Sequence, residues 1–192
     1  MLSYEESLKI LKETNALQEG HFILSSGLHS NKYVQCAKLL SHPVKANIIC
    51  SSLAKKISDN FKKIDLILSP AIGGIVIGYE IGRQLSIETI FAERQNNSLL
   101  LRRGFQIPSN INVLIVEDVI TTGKSALECA DLVKGANSNI VGYSCIIDRT
   151  NKNSLIKDKI ISQLKYHIET FDKNNLPDSL KTLPATKPGS RV

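Results

Sequence analysis

The residues with most chemical potential stand together at positions 117–125, reading Glu-Asp-Val-Ile-Thr-Thr-Gly-Lys-Ser. Four apolar residues, Val113 to Val116, lead straight into the adjacent acids Glu117 and Asp118. Thr121, Thr122 and Gly123 then make a turn, and Lys124 and Ser125 open a helical stretch. Backbone N–H groups at a helix start, beside small hydroxyl residues, form a cradle for phosphate. Two carboxylates next to that cradle would repel the phosphate unless a cation or a hydroxyl-rich group lies between. A ribose with its 2- and 3-hydroxyls, or a hydrated Mg²⁺, meets that need, so acids plus cradle point to a ribose phosphate. Gly123-Lys124-Ser125 could instead end a Walker A loop, but that motif requires glycine at 118, where Asp118 stands. The plain structural alternative is a capped strand-to-helix turn with no ligand.

Two further segments carry chemistry. Arg149 follows an apolar run, where a guanidinium can grip a carboxylate through two parallel hydrogen bonds, or simply pair with Asp148. Pro70-Ala71-Ile72-Gly73-Gly74 either brings backbone amides close to an anion or is a turn whose glycines serve close packing. His21, His29, His42 and His167 have no zinc-ligand spacing. Cys36, Cys50, Cys129 and Cys145 form no CxxC pair and read as buried, reduced thiols of a cytoplasmic protein.

These segments need elements to position them. The spacing predicts helices over 3–17, 44–61, 75–85 and 124–134, and an extended, hairpin-like segment over 21–38. Short apolar strands are expected at 64–69, 87–92, 112–116 and 140–147, while the polar, Asn- and Arg-rich stretch 94–104 reads as a mobile loop. Apolar strands alternating with helices imply an α/β fold, a mainly parallel sheet covered on both faces. Ligands in such folds bind outside the carboxyl ends of the strands, so Pro70–Gly74, Glu117–Ser125 and Asp148–Arg149 should face one crevice. At 192 residues the chain suits one domain, and no apolar run approaches the roughly 20 residues that span a bilayer. The +6 net charge is dispersed and Trp is absent, which argues against a nucleic-acid partner.

The 117–125 segment resembles the phosphoribosyl pyrophosphate (PRPP) signature of type I phosphoribosyltransferases. The stretch Gly20-His21-Phe22-Ile23-Leu24-Ser25-Ser26-Gly27-Leu28-His29-Ser30, with Tyr33, is similar to the amino-terminal hood of the orotate phosphoribosyltransferases. Phe91-Ala92-Glu93-Arg94, Leu101-Arg102-Arg103-Gly104-Phe105 and the ending Lys187-Pro188-Gly189-Ser190-Arg191 resemble a compact bacterial subgroup of that family. The resemblance implies one domain: a hood from 1–42, a core from 43–150 and an extension from 151–192. It implies transfer of ribose 5-phosphate from PRPP to orotate, with Mg²⁺ carried on PRPP. Glu117 and Asp118 would hold the ribose hydroxyls, and Val119 to Ser125 would complete the PRPP site. Ala71, Ile72, Gly73 and Gly74 would form the pyrophosphate loop, and Thr121 and Arg149 would contact orotate. Asp118 and Arg94 would be catalytic, and Arg94, Arg102 or Arg103 would reach the pyrophosphate across a homodimer with a shared active site. Ser25 stands where many relatives have Lys, and Leu176-Pro177-Asp178-Ser179 replaces a Cys-Pro-x-Cys. A purine-base transferase and a non-catalytic PRPP-sensing regulator are the alternatives.

Overall fold

The computed structural model describes residues 1–24 and 26–188; Ser25 and the final Gly189-Ser190-Arg191 of the family-like ending lie outside the described residues. Helix α1 (Tyr4–Glu13) starts from a full capping box in which Ser3 and Glu6 satisfy each other's backbone N–H. It is followed by β1 (Leu17–Ile23), β2 (His29–Val34), the short α2 (Cys36–Leu40) and α3 (Pro43–Asn60). The alternating part comes next: β3 (Leu66–Pro70), α4 (Gly73–Leu85), β4 (Thr89–Gln95), β5 (Ser98–Leu101), β6 (Asn112–Ile120), α5 (Lys124–Gly135) and β7 (Asn139–Asp148). The chain ends with β8 (Ile160–Lys165), α6 (Asp178–Lys181) and β9 (Ala185–Thr186).

Six strands form one sheet in the order β5-β4-β3-β6-β7-β8, parallel except for the β4–β5 pair. Successive residues of the central strands point to opposite faces, and both faces are apolar. Ile67, Leu114 and Val116 join α1, α3 and α4 in one core cluster, whereas Leu66, Leu68, Val113 and Ile115 join α5 in the other. The parallel sheet expected from the sequence is therefore present, with the central acids at its carboxyl edge. A second sheet, β2-β1-β9, stands apart as the hood.

One expectation changes. Residues 94–104 are not one mobile loop: β4 runs to Gln95, and Asn96 and Asn97, both at positive φ (48° and 66°), make a two-residue turn into β5. Paired asparagines suit the left-handed positions of such a turn, so polarity marked a tight hairpin tip. Beyond residue 150, β8 completes the six-stranded sheet and β9 pairs with β1.

Helix α4 is fixed by what its side chains lack. Gly74, Gly78 and Gly82 fall four apart on one face, and that face lies directly on β3 and β4. A Cβ at Gly78 would meet the buried Ser69 hydroxyl, and one at Gly82 would lie 2.7 Å from the Ile87 carbonyl oxygen. Glycine costs a helix interior about 1 kcal/mol relative to alanine, so close packing must offset three such costs. Gly82→Ala should therefore destabilise the protein by roughly 1–3 kcal/mol despite its better helix propensity. Gly135→Ala, with nothing within 4 Å of the added methyl, should be neutral or stabilising by up to ~1 kcal/mol. Urea unfolding of the two variants checks the contrast, and equal midpoints would contradict it.

Candidate active site

Strand β6 is longer than its apolar run suggests. Glu117 and Asp118 belong to the strand itself, which stays paired with β7 through Ile120. Gly123 then takes φ 84°, a left-handed turn natural to glycine, and a Cβ there would collide with Ile156 at 2.6 Å. Helix α5 begins at Lys124 with no side-chain cap and no acid in its first turn. Helix α4, after β3, also begins without a side-chain cap or an acid. At α5 the Lys124 N–H has a long 3.4 Å bond to Thr122 Oγ1, and both helix starts turn their backbone N–H groups to the carboxyl edge of the sheet, where an anion would be attracted.

The β3–α4 turn and the acids meet. A Cβ on Gly73 would lie 2.7 Å from the nearer Asp118 carboxylate oxygen, so only glycine lets the two come this close. Gly74 answers to packing instead, since a Cβ there would press on Pro70 and on the Val116 carbonyl. Ala71 is tied to β4 by its N–H to the Ala92 carbonyl at 2.7 Å, and Ile72 is exposed.

Glu117 and Asp118 keep partly exposed edges, yet their carboxyl groups sit deep. Burial, then the neighbouring Asp118, pushes the Glu117 carboxyl up to about 8. Burial likewise raises Asp118, against the pull of backbone N–H groups including that of Val119. Among the described residues neither acid has a cation beside it, and such perturbed groups in a cleft mark candidate sites.

Arg149 follows β7, its N–H bonded to the Ile120 carbonyl at 2.8 Å. The guanidinium is not paired with Asp148: Asp148 accepts from the Thr150 N–H and faces Lys165 at 3.9 Å. Arg149 Nε is buried with no hydrogen-bond partner, and burial lowers the guanidinium pKa. A cavity of about 590 Å³, within the usual span for small-molecule sites, is walled by Thr121, Thr122, Arg149, Asn151, Asn153 and the segment His167–Phe171. Burial raises the pKa of the hood residue Tyr33, with Arg149 pulling it down and Asp118 pushing it up.

The three strand ends thus converge, but the arginines of 93–104 are engaged elsewhere. Arg94 Nη1 donates to the Asn97 carbonyl at 2.7 Å and lies 2.9 Å from Glu128 Oε2, angled as an ion pair and not as a hydrogen bond. Arg103 holds Glu93 with two bonds of 2.9 and 3.0 Å. Among the described residues, no ion pair or hydrogen bond engages the Arg102 side chain. Tyr33 and His167–Phe171 were not singled out as site residues from the sequence; only the aromatic after the hood glycine hinted at Tyr33. His29 is buried against His21, with 2.6 Å between ring nitrogens, and does not line the cavity.

Comparison with known proteins places this geometry. A family model described as "Phosphoribosyl transferase domain" matches residues 39–177. The curated orotate phosphoribosyltransferase of Chlorobium phaeobacteroides (strain BS1) is 46% identical over 184 residues, covering 96% of this chain and 94% of that one. The orotate phosphoribosyltransferase of Caldicellulosiruptor bescii is 44% identical over 184 residues, 96% of each chain. Solved structures share the fold at lower identity. Orotate phosphoribosyltransferase from Aeropyrum pernix has a TM-score of 0.70 at 20% identity, over 82% of this chain and 92% of that one. Adenine phosphoribosyltransferase from Thermoanaerobacter pseudethanolicus has 0.61 at 19%, over 70% and 88%. The architecture is common to both kinds of transferase, and it is the near-full-length sequence likeness that separates them: this chain belongs to the orotate phosphoribosyltransferase family.

Proposed function

We propose that this protein transfers the ribose 5-phosphate group of PRPP to orotate, giving orotidine 5-monophosphate and pyrophosphate in pyrimidine biosynthesis. The observation that carries the reading is Arg149, whose buried, unpartnered Nε stands on the wall of the cavity it shares with Thr121. A guanidinium kept out of internal ion pairs suits a planar carboxylate, and orotate carries one where a purine base does not. Neither a purine base nor a purely regulatory role has an observation that favours it.

In this reading orotate N1 bonds to ribose C1 as the bond to pyrophosphate breaks, and positive charge builds on the sugar ring. Glu117 and Asp118 hold the ribose hydroxyls and, when ionised, face that charge. The Thr121–Ser125 turn wraps the 5-phosphate at the open start of α5, while Ala71 to Gly74 bring α4 amides to the pyrophosphate. Two adjacent carboxyl groups at the crevice are hard oxygen donors of the kind that suit a Mg²⁺ arriving on PRPP. Glu117 and Asp118, the two acids at the crevice, would then hold it through the ribose hydroxyls, and the ion would offset charge on the leaving pyrophosphate.

A homodimer with a shared site is part of the proposal. Helix α4 begins at the crevice, and Val76 and Tyr79 on it are 51% and 67% exposed, with Ile72 before them at 85%. This apolar stripe opposes the glycine face and supports burial against a second copy. With Arg94 and Arg103 held by Glu128 and Glu93, Arg102, which pairs with no side chain among the described residues, is the stronger candidate to reach a neighbouring site. Among the described residues no helix is long and apolar enough to cross a membrane, and four buried, free thiols support a reducing, cytoplasmic setting.

The test of the activity is PRPP-dependent loss of orotate absorbance. Arg149→Ala should raise the orotate KM about ten- to a hundredfold and leave the PRPP KM near the parent value, as expected for loss of a charged contact of roughly 1.5–3 kcal/mol. An equal effect on both substrates would make Arg149 structural.

The raised Glu117 pKa also has a thermodynamic sign. Between its ordinary value near 4.5 and about 8, the folded state binds more protons than the unfolded one, so stability falls as pH rises through that window. Glu117→Gln removes the loss. Its melting temperature should exceed the parent's at pH 8.5, and the gap should close towards pH 5.

Tyr79→Glu should shift the protein from dimer to monomer in sedimentation and lower turnover together. A parent that sediments as a monomer, or a fully active monomeric variant, would remove the shared site.

A further inference from the structure

The chain has five phenylalanines, and four have an internal reason for their place. Phe22 pairs with the Tyr33 ring at 5.7 Å, and Phe91 meets Phe105 edge-on at 5.2 Å. Phe61 packs on the main core cluster under Lys159. Phe171 joins neither core cluster and has no aromatic partner among the described residues. It is half-buried and lines the cavity that contains Thr121 and Arg149, the single Phe, Tyr or Trp among the described residues to do so.

Its backbone is nonetheless firmly placed. Phe171 and His29 exchange both backbone hydrogen bonds, at 2.8 and 2.9 Å, forming an antiparallel bridge between the C-terminal segment and hood strand β2. One residue on, Ser30 Oγ donates to the Glu169 carbonyl at 2.8 Å. His29 is itself fixed by His21, whose Nδ1 lies 3.0 Å from the Leu183 carbonyl oxygen. A half-exposed aromatic residue that contributes little to the core, yet is held by a two-bond bridge at a cavity wall, has the attributes of a ligand platform.

We propose that Phe171 is the residue on which the planar pyrimidine of the base substrate stacks, a contact supplied by the C-terminal segment and positioned by His29. The proposal rests on the orotate reading, since it is the base carried by Arg149 that would lie against the ring. Stacking on an aromatic face is insensitive to the identity of a planar base, so Phe171 adds affinity while Arg149 adds selection for the carboxylate.

The test compares Phe171→Ala, Phe171→Leu and Phe171→Tyr in steady-state turnover, with calorimetric titration of orotidine 5-monophosphate as a binding readout free of chemistry. Phe171→Ala should raise the orotate KM and the nucleotide Kd about tenfold, with the PRPP KM at the parent value. Phe171→Tyr should stay near the parent. Phe171→Leu, which keeps bulk and removes the aromatic face, should resemble Ala more than Tyr; this comparison decides the matter if the Ala variant fails to fold. A Leu variant equal to the parent would show that the site is only filling space, and a Phe171→Ala protein with unchanged orotate KM would overturn the proposal outright. A parent that consumes no orotate at all would instead sink the orotate reading beneath it.

Discussion

A missing side chain sets the scale of the crevice. The Asp118 carboxylate occupies the volume that a methyl group on residue 73 would need, so the start of α4 and the end of β6 are as close as backbone and carboxylate allow. That closeness depends in turn on Gly74, Gly78 and Gly82, whose bare face lets α4 rest on β3 and β4 without intervening side chains. Moving the helix outward by one methyl layer would separate the two backbone anion cradles from the acids between them. The placement of the groups that would neutralise and hold a phosphorylated sugar is therefore a packing consequence before it is an electrostatic one.

The charges in the crevice are deliberately left unresolved by the fold. Elsewhere on this protein acids and bases are paired locally, as in Glu80 with Arg83 and Glu93 with Arg103. At the carboxyl edge of the sheet, Glu117 and Asp118 are buried towards neutrality and Arg149 is buried without a counter-ion. Each is disfavoured alone, as a charged group held out of water without a partner. Local departures of this kind from the rule of satisfied burial are where a fold gives up stability for recognition.

The site was more legible in the sequence than its surroundings were. An apolar strand, two acids and a Thr-Thr-Gly turn are contiguous, so Glu117 to Ser125 could be read as one unit, and the structure keeps them together. Arg149 was readable because it directly follows an apolar run. Strand β8 was not, because its Ile-Ile-Ser-Gln-Leu-Lys run carries no periodicity distinct from the polar residues around it, and its strand state comes from pairing with β7. The 94–104 segment misled because Asn-Asn is as typical of a flexible loop as of a hairpin turn, and only the pairing of Arg94 with Leu99 distinguishes them. Phe171 is brought to the cavity by contacts between distant parts of the chain, which local pattern does not encode.

The second sheet has a consequence for how the molecule is assembled. Its outer strand β9 pairs His21 with Ala185 and Phe22 with Thr186, and the His21–Leu183 contact spans 162 positions. Contacts of such separation carry a large closure entropy and form late, after the nearer parallel strands have docked. On the ribosome, the entire six-stranded sheet through Lys165 can be synthesised before Ala185 exists. The nascent chain therefore meets a period in which the edge carrying Glu117, Asp118 and Arg149 is complete while β9 has yet to join β1, and a ligand that fits the finished crevice would favour the fully assembled state.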